Sequence, residues 1–512
     1  MTRAAAPLTW GVLALGAGLA QAVSIAWPGS GQPLWWLQVA SLAVLAATVL
    51  ATGSVRQALV CGWVFATAWL AGTFWWLFIS MHTYGGLAAP LAAAAVLALA
   101  AFLGSYYAVA AALLRWLSPS SVWGGAGAFG ALWLLAELLR VEWFTGFPWG
   151  AGGYAHVAGP LAVLAPWVGV HGIGFVAAAL AFALSRLHVL RRSRLYWAGL
   201  AGATLVLAAC AQVETSHGES AGAPLSVTLL QGNIPQDEKF EPGSGVPLAL
   251  QWYGQQLQDS RSSLTVAPET AIPLLPQQLP EGFWQALAGR FGQGTGQAAL
   301  VGLPLGSFEQ GYTNSVVGLK PGAQAYRYDK HHLVPFGEFI PPLFRWFTDL
   351  MNIPLGDFNR GAVGQPSFEW QGQRLAPNVC YEDLFGEELA RRFVDPQQAP
   401  TVFVNVSNIG WFGDTVAIDQ HLHISRMRAI EFARPVIRAT NTGATAIIDH
   451  RGRVTHALSR FTRGVLTGTV QGREGVTPYA WWVSRLGLWP LWLLGLAPVF
   501  AALLQLRRRA AT

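Results

Sequence analysis

Long apolar stretches alternate with short polar ones along the first 220 residues of this 512-residue chain. A helix needs about 20 apolar residues to cross the hydrocarbon core of a membrane. Seven stretches before residue 220 approach or exceed that length, and an eighth lies near the C-terminus. We expect membrane spans at residues 8–27, 33–53, 57–80, 87–114, 122–139, 160–186, 195–213 and 481–506.

The pattern changes after residue 225, where short apolar runs alternate with amphipathic segments. Apolar, β-branched runs bounded by turn residues are typical of strands, and several are apolar at nearly every position, as in sheets buried on both faces. We expect strands in LSVTLLQGN, SLTVAPET, AALVGLPLG, TNSVVGL, RLAPNVCYE, TVFVNVSN, PVIRATNTG and ATAIIDHRG, and helices in LALQWYGQQLQDS and DQHLHISRMRAIEFAR.

Together these patterns predict a polytopic α-helical membrane domain joined to an α/β layered domain. Residues 1–215 form seven transmembrane helices, residues 220–470 form the α/β domain, and residues 478–512 form the eighth helix with a basic tail. Composition agrees with a membrane protein that carries a soluble part: 11% of residues are charged, against about 25% in soluble domains. The acids are concentrated in the α/β segment, and only Glu137, Glu142, Glu214 and Glu219 precede residue 220.

The arginines set the expected orientation, because cytoplasmic loops of membrane proteins are enriched in basic residues. With Arg3 placed in the cytoplasm, the alternating spans put most loop arginines on the same side, and Arg140 is the main exception. The arginines on the cytoplasmic side are Arg56, Arg115, Arg186, Arg191, Arg192, Arg194, Arg507, Arg508 and Arg509. We expect both termini in the cytoplasm and residues 214–480 outside.

The start MTRAAAPLTWGVLALGAGLAQA also fits a cleavable signal peptide, so removal of the first helix stays open.

Three residues at strand ends carry candidate chemistry. Cys380 follows RLAPNV, and the other cysteines lie in expected spans, so its thiol is either a buried apolar group or a reactive one. Glu269 ends SLTVAPET and Lys330 lies in YRYDKHHLVPFGEFIPP, where each alone is typical of a solvated charge. Together they would supply a nucleophile, a proton acceptor and a cation for an oxyanion. The spacing alone does not show that they meet.

A resemblance to the nitrilase superfamily rests on PET at 268–270, YDKHHLVPFGEFIP at 328–341 and NVCYED at 378–383. Further motifs make the chain similar to the bacterial apolipoprotein N-acyltransferase family over nearly its whole length. One position departs from the family pattern, since Ile409 stands in NIGW where an acid is expected. These further motifs are TGFPW at 145–149, QGNIPQDEKF at 231–240, SNIGWFGD at 407–414 and the stretch 420–449.

The resemblance implies an α-β-β-α layered sandwich with a Glu–Lys–Cys triad. Cys380 would be the nucleophile, Glu269 the general base and Lys330 the oxyanion donor, beside a backbone N–H near Tyr381. Two further acids match the family's site and would orient Lys330 or tune proton transfer. These acids are Glu338 and Glu382.

The same resemblance implies a phospholipid donor, whose sn-1 acyl chain passes through a Cys380 thioester. The acceptor is the α-amine of S-diacylglyceryl-cysteine in an apolipoprotein, in the last step of lipoprotein maturation. We expect a ping-pong reaction by a monomer of the bacterial inner membrane with a periplasmic catalytic domain. We expect no metal site, since His331 and His332 lack the spacing of metal ligands. We also expect no cofactor and no nucleic-acid partner.

Residues 336–358 are too apolar for a free outer loop, so we expect either a lipid-binding lid or a packed segment there. Phe344, Trp346 and Phe347 are its candidate lipid contacts. Two other functions stay open: a membrane-anchored nitrilase-type amidohydrolase with the same triad, and a transporter whose outer domain binds cargo. The transporter is less favoured because the expected spans hold few ionisable groups away from their ends.

Overall fold

The computed structural model describes residues 7–119, 121–187, 218–294, 296–322, 325–340 and 357–511, with a few positions between 198 and 210. The chain forms two compact units. One comprises Met1–Trp75, Ala89–Ser216 and Leu486–Thr512, and the other comprises Trp76–Ala88 and His217–Arg485. The expected lid residues Phe344, Trp346 and Phe347 lie outside the described residues, and so does most of the expected span at 195–213.

The first unit is built from apolar helices, whose backbone polar groups are satisfied within each helix as a membrane interior requires. Among the described residues, five helices are long and apolar enough to cross a membrane by length and composition, and a bent pair would make a sixth. The long helices described in this unit are α1 (Pro7–Ile25), α2 (Trp35–Ala51), α3 (Val55–Thr73), α4 (Ala89–Leu117), α5 (Val122–Glu142), α6 (Ala165–Ser185) and a C-terminal helix (Trp489–Ala511).

Two expected spans differ from the observed helices. The span expected at 57–80 is interrupted, because α3 ends at Thr73 and a separate helical turn begins at Leu77. The span expected at 481–506 is also interrupted, because Gly487 has a φ of 58°, a left-handed value that ends a helix. The C-terminal helix therefore begins at Trp489.

The second unit contains two six-stranded sheets in the part of the chain that the structure describes. Their strands are β1 (Leu225–Gln231), β2 (Leu264–Val266), β3 (Ala298–Ser307), β4 (Gly311–Leu319), β5 (Tyr326–Asp329), β6 (Phe368–Trp370), β7 (Gln373–Val379), β8 (Val402–Ser407), β9 (Val436–Thr440), β10 (Ala446–Ile448), β11 (Val454–Ala457) and β12 (Gly464–Val470). The first sheet has the order β12-β1-β2-β3-β4-β5 and the second the order β11-β10-β9-β8-β7-β6. Strands β1, β2 and β3 are parallel, as are β7, β8 and β9.

Helices cover the outer face of each sheet. Apolar side chains of both sheets, such as Leu300 and Val404, form one buried core between them. The helices α7 (Gly245–Asp259) and α8 (Phe283–Gly292) pack on the first sheet. On the second sheet, α9 (Ala417–Phe432) places Phe432 against Phe403 of β8, with ring centroids 5.4 Å apart. The unit thus has α-β-β-α layers. A short helix, α10 (Pro478–Leu486), follows β12.

Candidate active site

The three expected site residues follow strands of the α/β unit. Glu269 lies shortly after β2, Lys330 directly after β5 and Cys380 directly after β7. The structure brings Glu269 and Lys330 into contact, with 3.4 Å between Nζ and Oε1. The Cys380 thiol is close enough for both charges to act on its pKa. Tertiary folding therefore gathers groups that are about 50 to 110 residues apart in the chain.

Lys330 is buried and paired with two acids. Its Nζ lies 2.8 Å from Oε2 of Glu338, closer than it lies to Glu269. Burial lowers the pKa of Lys330, but the carboxylates of Glu338 and Glu269 outweigh it and raise that pKa above its ordinary value. Lys330 therefore stays an ammonium at neutral pH, suited to stabilise an oxyanion and unable to accept a proton.

Both carboxylate oxygens of Glu269 are held in place. Oε1 accepts a hydrogen bond from Nδ2 of Asn314 at 2.7 Å, and Oε2 accepts one from the backbone N–H of Asn408 at 2.8 Å. Nδ2 of Asn314 also donates to Oε1 of Glu338 at 2.8 Å. The backbone before Glu269 passes so close to Gly302 that a Cβ there would lie 2.2 Å from the Pro268 carbonyl. Only glycine fits this approach, which sets the position of the acid.

Cys380 directly follows strand β7 and has an unusual backbone conformation. Its φ of 52° lies in the left-handed region, which non-glycine residues adopt mainly where the surroundings enforce it. Burial raises the pKa of the thiol to about 12, and the charge of Glu269 adds to this, while Lys330 and a hydrogen bond with Ser407 act against it. The thiol is therefore neutral at pH 7 and has to lose its proton to a base before or during attack.

Glu382 ties the cysteine strand to the lysine segment. Its Oε2 accepts a hydrogen bond from the backbone N–H of Val379 at 2.6 Å and another from the Tyr328 hydroxyl at 2.8 Å. Its Oε1 accepts from the backbone N–H of His331, the residue after Lys330, at 2.6 Å. The bonds to Val379 and His331 hold the backbone next to Cys380 and Lys330, whereas Glu338 contacts the Lys330 ammonium itself.

The Tyr381 side chain packs beside this connection. Its ring lies edge-on to Phe385, with centroids 5.3 Å apart, and 5.6 Å from the ring of His332. His332 Nδ1 lies 2.9 Å from Oε1 of Glu388. In the part of the chain that the structure describes, no cluster of three or more His, Cys, Asp or Glu residues is placed to hold a metal ion.

Two side chains at this site had no functional prediction from the sequence. Asn314 links Glu269 to Glu338. The sequence feature that could have drawn attention to it is an amide at the polar start of the strand run TNSVVGL. Lys239 is buried and donates from Nζ to the Glu269 backbone carbonyl at 3.1 Å. Burial lowers the pKa of Lys239 to about 7, although the negative charges of Glu269 and Cys380 act to raise it. The sequence feature that could have drawn attention to Lys239 is the scarcity of lysine. The chain has only three lysines, all in the α/β segment: Lys239, Lys320 and Lys330.

The position that departs from the family pattern is also part of this site's surroundings. Ile409 is fully buried, and the residue before it, Asn408, supplies the backbone N–H that binds Glu269. An apolar side chain therefore occupies the position where the pattern has an acid, while the backbone contact to Glu269 does not depend on that side chain.

Comparisons with known proteins cover both units. A family model for the apolipoprotein N-acyltransferase N-terminal domain matches residues 17–183, and one for carbon-nitrogen hydrolases matches residues 226–479. The chain is 62% identical to an apolipoprotein N-acyltransferase of Verminephrobacter eiseniae, over 95% of each chain. It is 46% identical to one of Ralstonia nicotianae, over 93% of this chain and 90% of the other.

Solved structures also resemble part of this chain. The crystal structure of XC1258 from Xanthomonas campestris, a CN-hydrolase superfamily protein with an arsenic adduct in its active site, is 21% identical to this chain. The match covers 52% of this chain and 96% of that one, with a TM-score of 0.38.

Proposed function

We propose the following reaction for this chain, which belongs to the apolipoprotein N-acyltransferase family. The protein is an acyltransferase of lipoprotein biosynthesis. In our proposal it takes the sn-1 acyl chain of a phospholipid and passes it, through a thioester, to the N-terminal α-amine of an S-diacylglyceryl-cysteine. Cys380, Glu269 and Lys330 are the proposed catalytic residues, and the two half-reactions follow a ping-pong order.

In the first half-reaction, Cys380 Sγ attacks the ester carbonyl carbon of the phospholipid. Glu269 takes the thiol proton, and the carbonyl oxygen becomes an oxyanion stabilised by the Lys330 ammonium and a backbone N–H near Tyr381. When the intermediate collapses, the bond to the glycerol oxygen breaks and that oxygen takes the proton from Glu269. Lysophospholipid leaves, and the acyl group remains on Cys380 as a thioester.

In the second half-reaction, the neutral α-amine of the acceptor attacks the thioester carbonyl carbon. The same two donors stabilise the oxyanion, and Glu269 takes a proton from the attacking nitrogen. Collapse breaks the carbon–sulfur bond, an amide forms, and the proton on Glu269 returns to the Cys380 sulfur. The enzyme is then restored, and one ester has been exchanged for one amide.

The single observation that carries the proposal is the placement of Lys330 between two acids beside the Cys380 thiol. A thiol with a pKa of about 12 needs a proton acceptor at neutral pH. Lys330 cannot take this role, because its neighbouring carboxylates keep it protonated. Glu269 contacts Lys330 and acts on the pKa of the thiol, which makes it the suitable base, and Glu338 is left to hold Lys330.

The amidohydrolase alternative would use the same three residues, so it differs only in what accepts the acyl group. Relatives that share 46% and 62% of their residues with this chain are named N-acyltransferases, and they match its apolar helices as well as its α/β unit. Transfer is therefore favoured over hydrolysis. We further propose that the protein is a monomer of the inner membrane, with both termini in the cytoplasm and its catalytic domain at residues 220–470 in the periplasm.

A phospholipid with a labelled sn-1 acyl chain tests transfer directly. The purified protein is incubated with this donor and a diacylglyceryl peptide that has a free N-terminal amine. The proposal predicts a labelled amide on the peptide, with loss of the product when the amine is acetylated beforehand. Release of labelled fatty acid without any acylated peptide would support the amidohydrolase instead.

A further inference from the structure

A buried histidine lies against the backbone of the proposed nucleophile. Nε2 of His421, in helix α9, is 3.1 Å from the carbonyl oxygen of Cys380. Nδ1 of the same ring is 2.7 Å from Nη2 of Arg438 in strand β9. An arginine side chain has donors only, so Nδ1 accepts this bond and the ring proton is on Nε2. His421 therefore donates a hydrogen bond to the Cys380 carbonyl.

Arg438 is itself held firmly. Its Nη1 donates to the Ser425 hydroxyl at 2.8 Å and lies 3.8 Å from Oδ2 of Asp383, and its Nε donates to the Ala444 carbonyl at 3.1 Å. Burial lowers the pKa of Arg438 to about 10, although the negative charges of Asp383 and Cys380 act to raise it. The guanidinium therefore stays charged at neutral pH. Burial, together with the charge of Arg438, lowers the pKa of His421 well below its ordinary value. The imidazole therefore stays neutral and keeps one tautomer.

The peptide that His421 holds also carries a second group. The carbonyl of Cys380 and the N–H of Tyr381 belong to one planar trans peptide, so they point in opposite directions. Fixing the carbonyl fixes the direction of the N–H, and a hydrogen bond to the carbonyl strengthens the N–H as a donor. This control matters here because Cys380 has a left-handed φ of 52° that a free chain seldom adopts.

We propose that His421 is a positioning residue that aims the Tyr381 N–H at the oxyanion of the acyl-transfer reaction. It does not touch the substrate and acts through the Cys380–Tyr381 peptide, with Arg438 fixing its tautomer and orientation. This inference rests on the proposed function, because the oxyanion forms when Cys380 attacks the acyl carbonyl in that reaction. It adds a residue to the site that the Glu–Lys–Cys motif does not include.

Two amide substitutions separate the two hydrogen bonds of His421. In His421→Asn, the side-chain oxygen lies near the position of Nδ1 and can still accept from Arg438, but the donor to Cys380 is lost. In His421→Gln, the side-chain nitrogen lies near the position of Nε2 and can still donate to the Cys380 carbonyl. The two variants are matched in polarity and differ in which bond they keep.

The test compares acylation of Cys380 by saturating phospholipid with alkylation of the same thiol by iodoacetamide. Alkylation forms no oxyanion, so a misaimed N–H leaves it unchanged. We expect His421→Asn to slow acylation about 10²-fold, the range for loss of an oxyanion donor, while iodoacetamide labels Cys380 at the wild-type rate. We expect His421→Gln to acylate within about tenfold of wild type, because the carbonyl keeps its donor.

Three results would overturn this role: normal acylation by His421→Asn, an equal loss of acylation and alkylation, or a loss in folded His421→Gln as large as that in His421→Asn. Thermal melting shows whether each variant is folded. If His421→Asn does not fold, His421→Gln decides, since a 10²-fold loss in that folded variant contradicts the role. If the wild type acylates Cys380 and His421→Asn does so equally well, the proposed function stands and only the positioning role fails.

Discussion

Nζ of Lys330 lies 2.8 Å from Oε2 of Glu338. Both side chains are buried, with 1% of Lys330 and 7% of Glu338 exposed, so water screens their attraction little. Burial lowers the pKa of Lys330, and Glu338 contributes most to raising that pKa, so the side chain stays charged. Glu338 therefore holds the Lys330 ammonium in position and keeps it charged.

Glu338→Gln should reduce acylation of Cys380 about 10²-fold, the range for a lost oxyanion donor. The amide keeps the size of the side chain but no longer attracts the ammonium, so Lys330 is less fixed and more easily deprotonated. Single-turnover acylation with labelled phospholipid measures the effect. A rate equal to that of wild type would mean that Lys330 does not depend on Glu338.

Glu269→Gln should slow acylation about 10²–10⁴-fold, the range for loss of a general base. An amide cannot accept the thiol proton. Its NH₂ group would also face either the Nδ2 group of Asn314 or the backbone N–H of Asn408, so two donors would meet. Glu281→Gln is the matched control, because Glu281 is exposed in a turn outside the site. Near-normal turnover by folded Glu269→Gln would remove Glu269 from the proposed mechanism.

Lys330→Arg should fail nearly as severely as Lys330→Met, with losses of about 10²–10³-fold. The site encloses a compact ammonium between two carboxylates, and a planar guanidinium is larger and has a different donor geometry. Lys320→Arg provides the control, since Lys320 is partly exposed and donates to the backbone carbonyl of Glu369. Wild-type activity in Lys330→Arg would show that any positive charge is sufficient there.

Alkylation of Cys380 should rise with pH without levelling off below about pH 10. The raised pKa of about 12 means that the thiolate fraction is small at neutral pH and grows tenfold for each pH unit. An ordinary thiol has a pKa of about 8.5, and its alkylation levels off near pH 9–10. Peptide mapping after iodoacetamide treatment separates Cys380 from Cys61 and Cys210.

Substitution of the nearby cation gives the control for this pH profile. Lys330 lowers the pKa of the Cys380 thiol, so Lys330→Met should slow alkylation at every pH in the range. A profile of wild-type Cys380 that levels off below pH 9 would contradict a raised pKa. It would also remove the need for a base at neutral pH.

Much of the α/β unit could be predicted from the sequence, because buried strands leave a continuous apolar pattern. The run TVFVNVSN contains β8, whose residues are all buried. Four strands were not predicted. Strand β11 is exposed at every position, and β6 has only three residues, so neither has a clear apolar signal. Strand β5 has only four residues, and β12 contains Gly464 and Gly468, which weaken its apolar pattern.

The candidate site was only partly predictable. Glu269, Lys330 and Cys380 were singled out through motifs that resemble a known family. Asn314 could not be assigned a role in this way, because its bonds to Glu269 and Glu338 exist only after β4 has paired with its neighbours. His421 lies in DQHLHISRMRAIEFAR, for which the sequence predicts only a helix. Its proposed role depends on a contact with the Cys380 backbone, 41 residues away.

Intact mass spectrometry of the purified protein after incubation with phospholipid tests the central claim most directly. The account predicts one added fatty acyl group on Cys380, which hydroxylamine removes at neutral pH because it is a thioester. Cys380→Ala should gain no such mass, and an adduct on Cys380→Ser should resist hydroxylamine, as expected for an oxyester. An acyl adduct of equal yield on Cys380→Ala would contradict the assignment of Cys380 as the nucleophile.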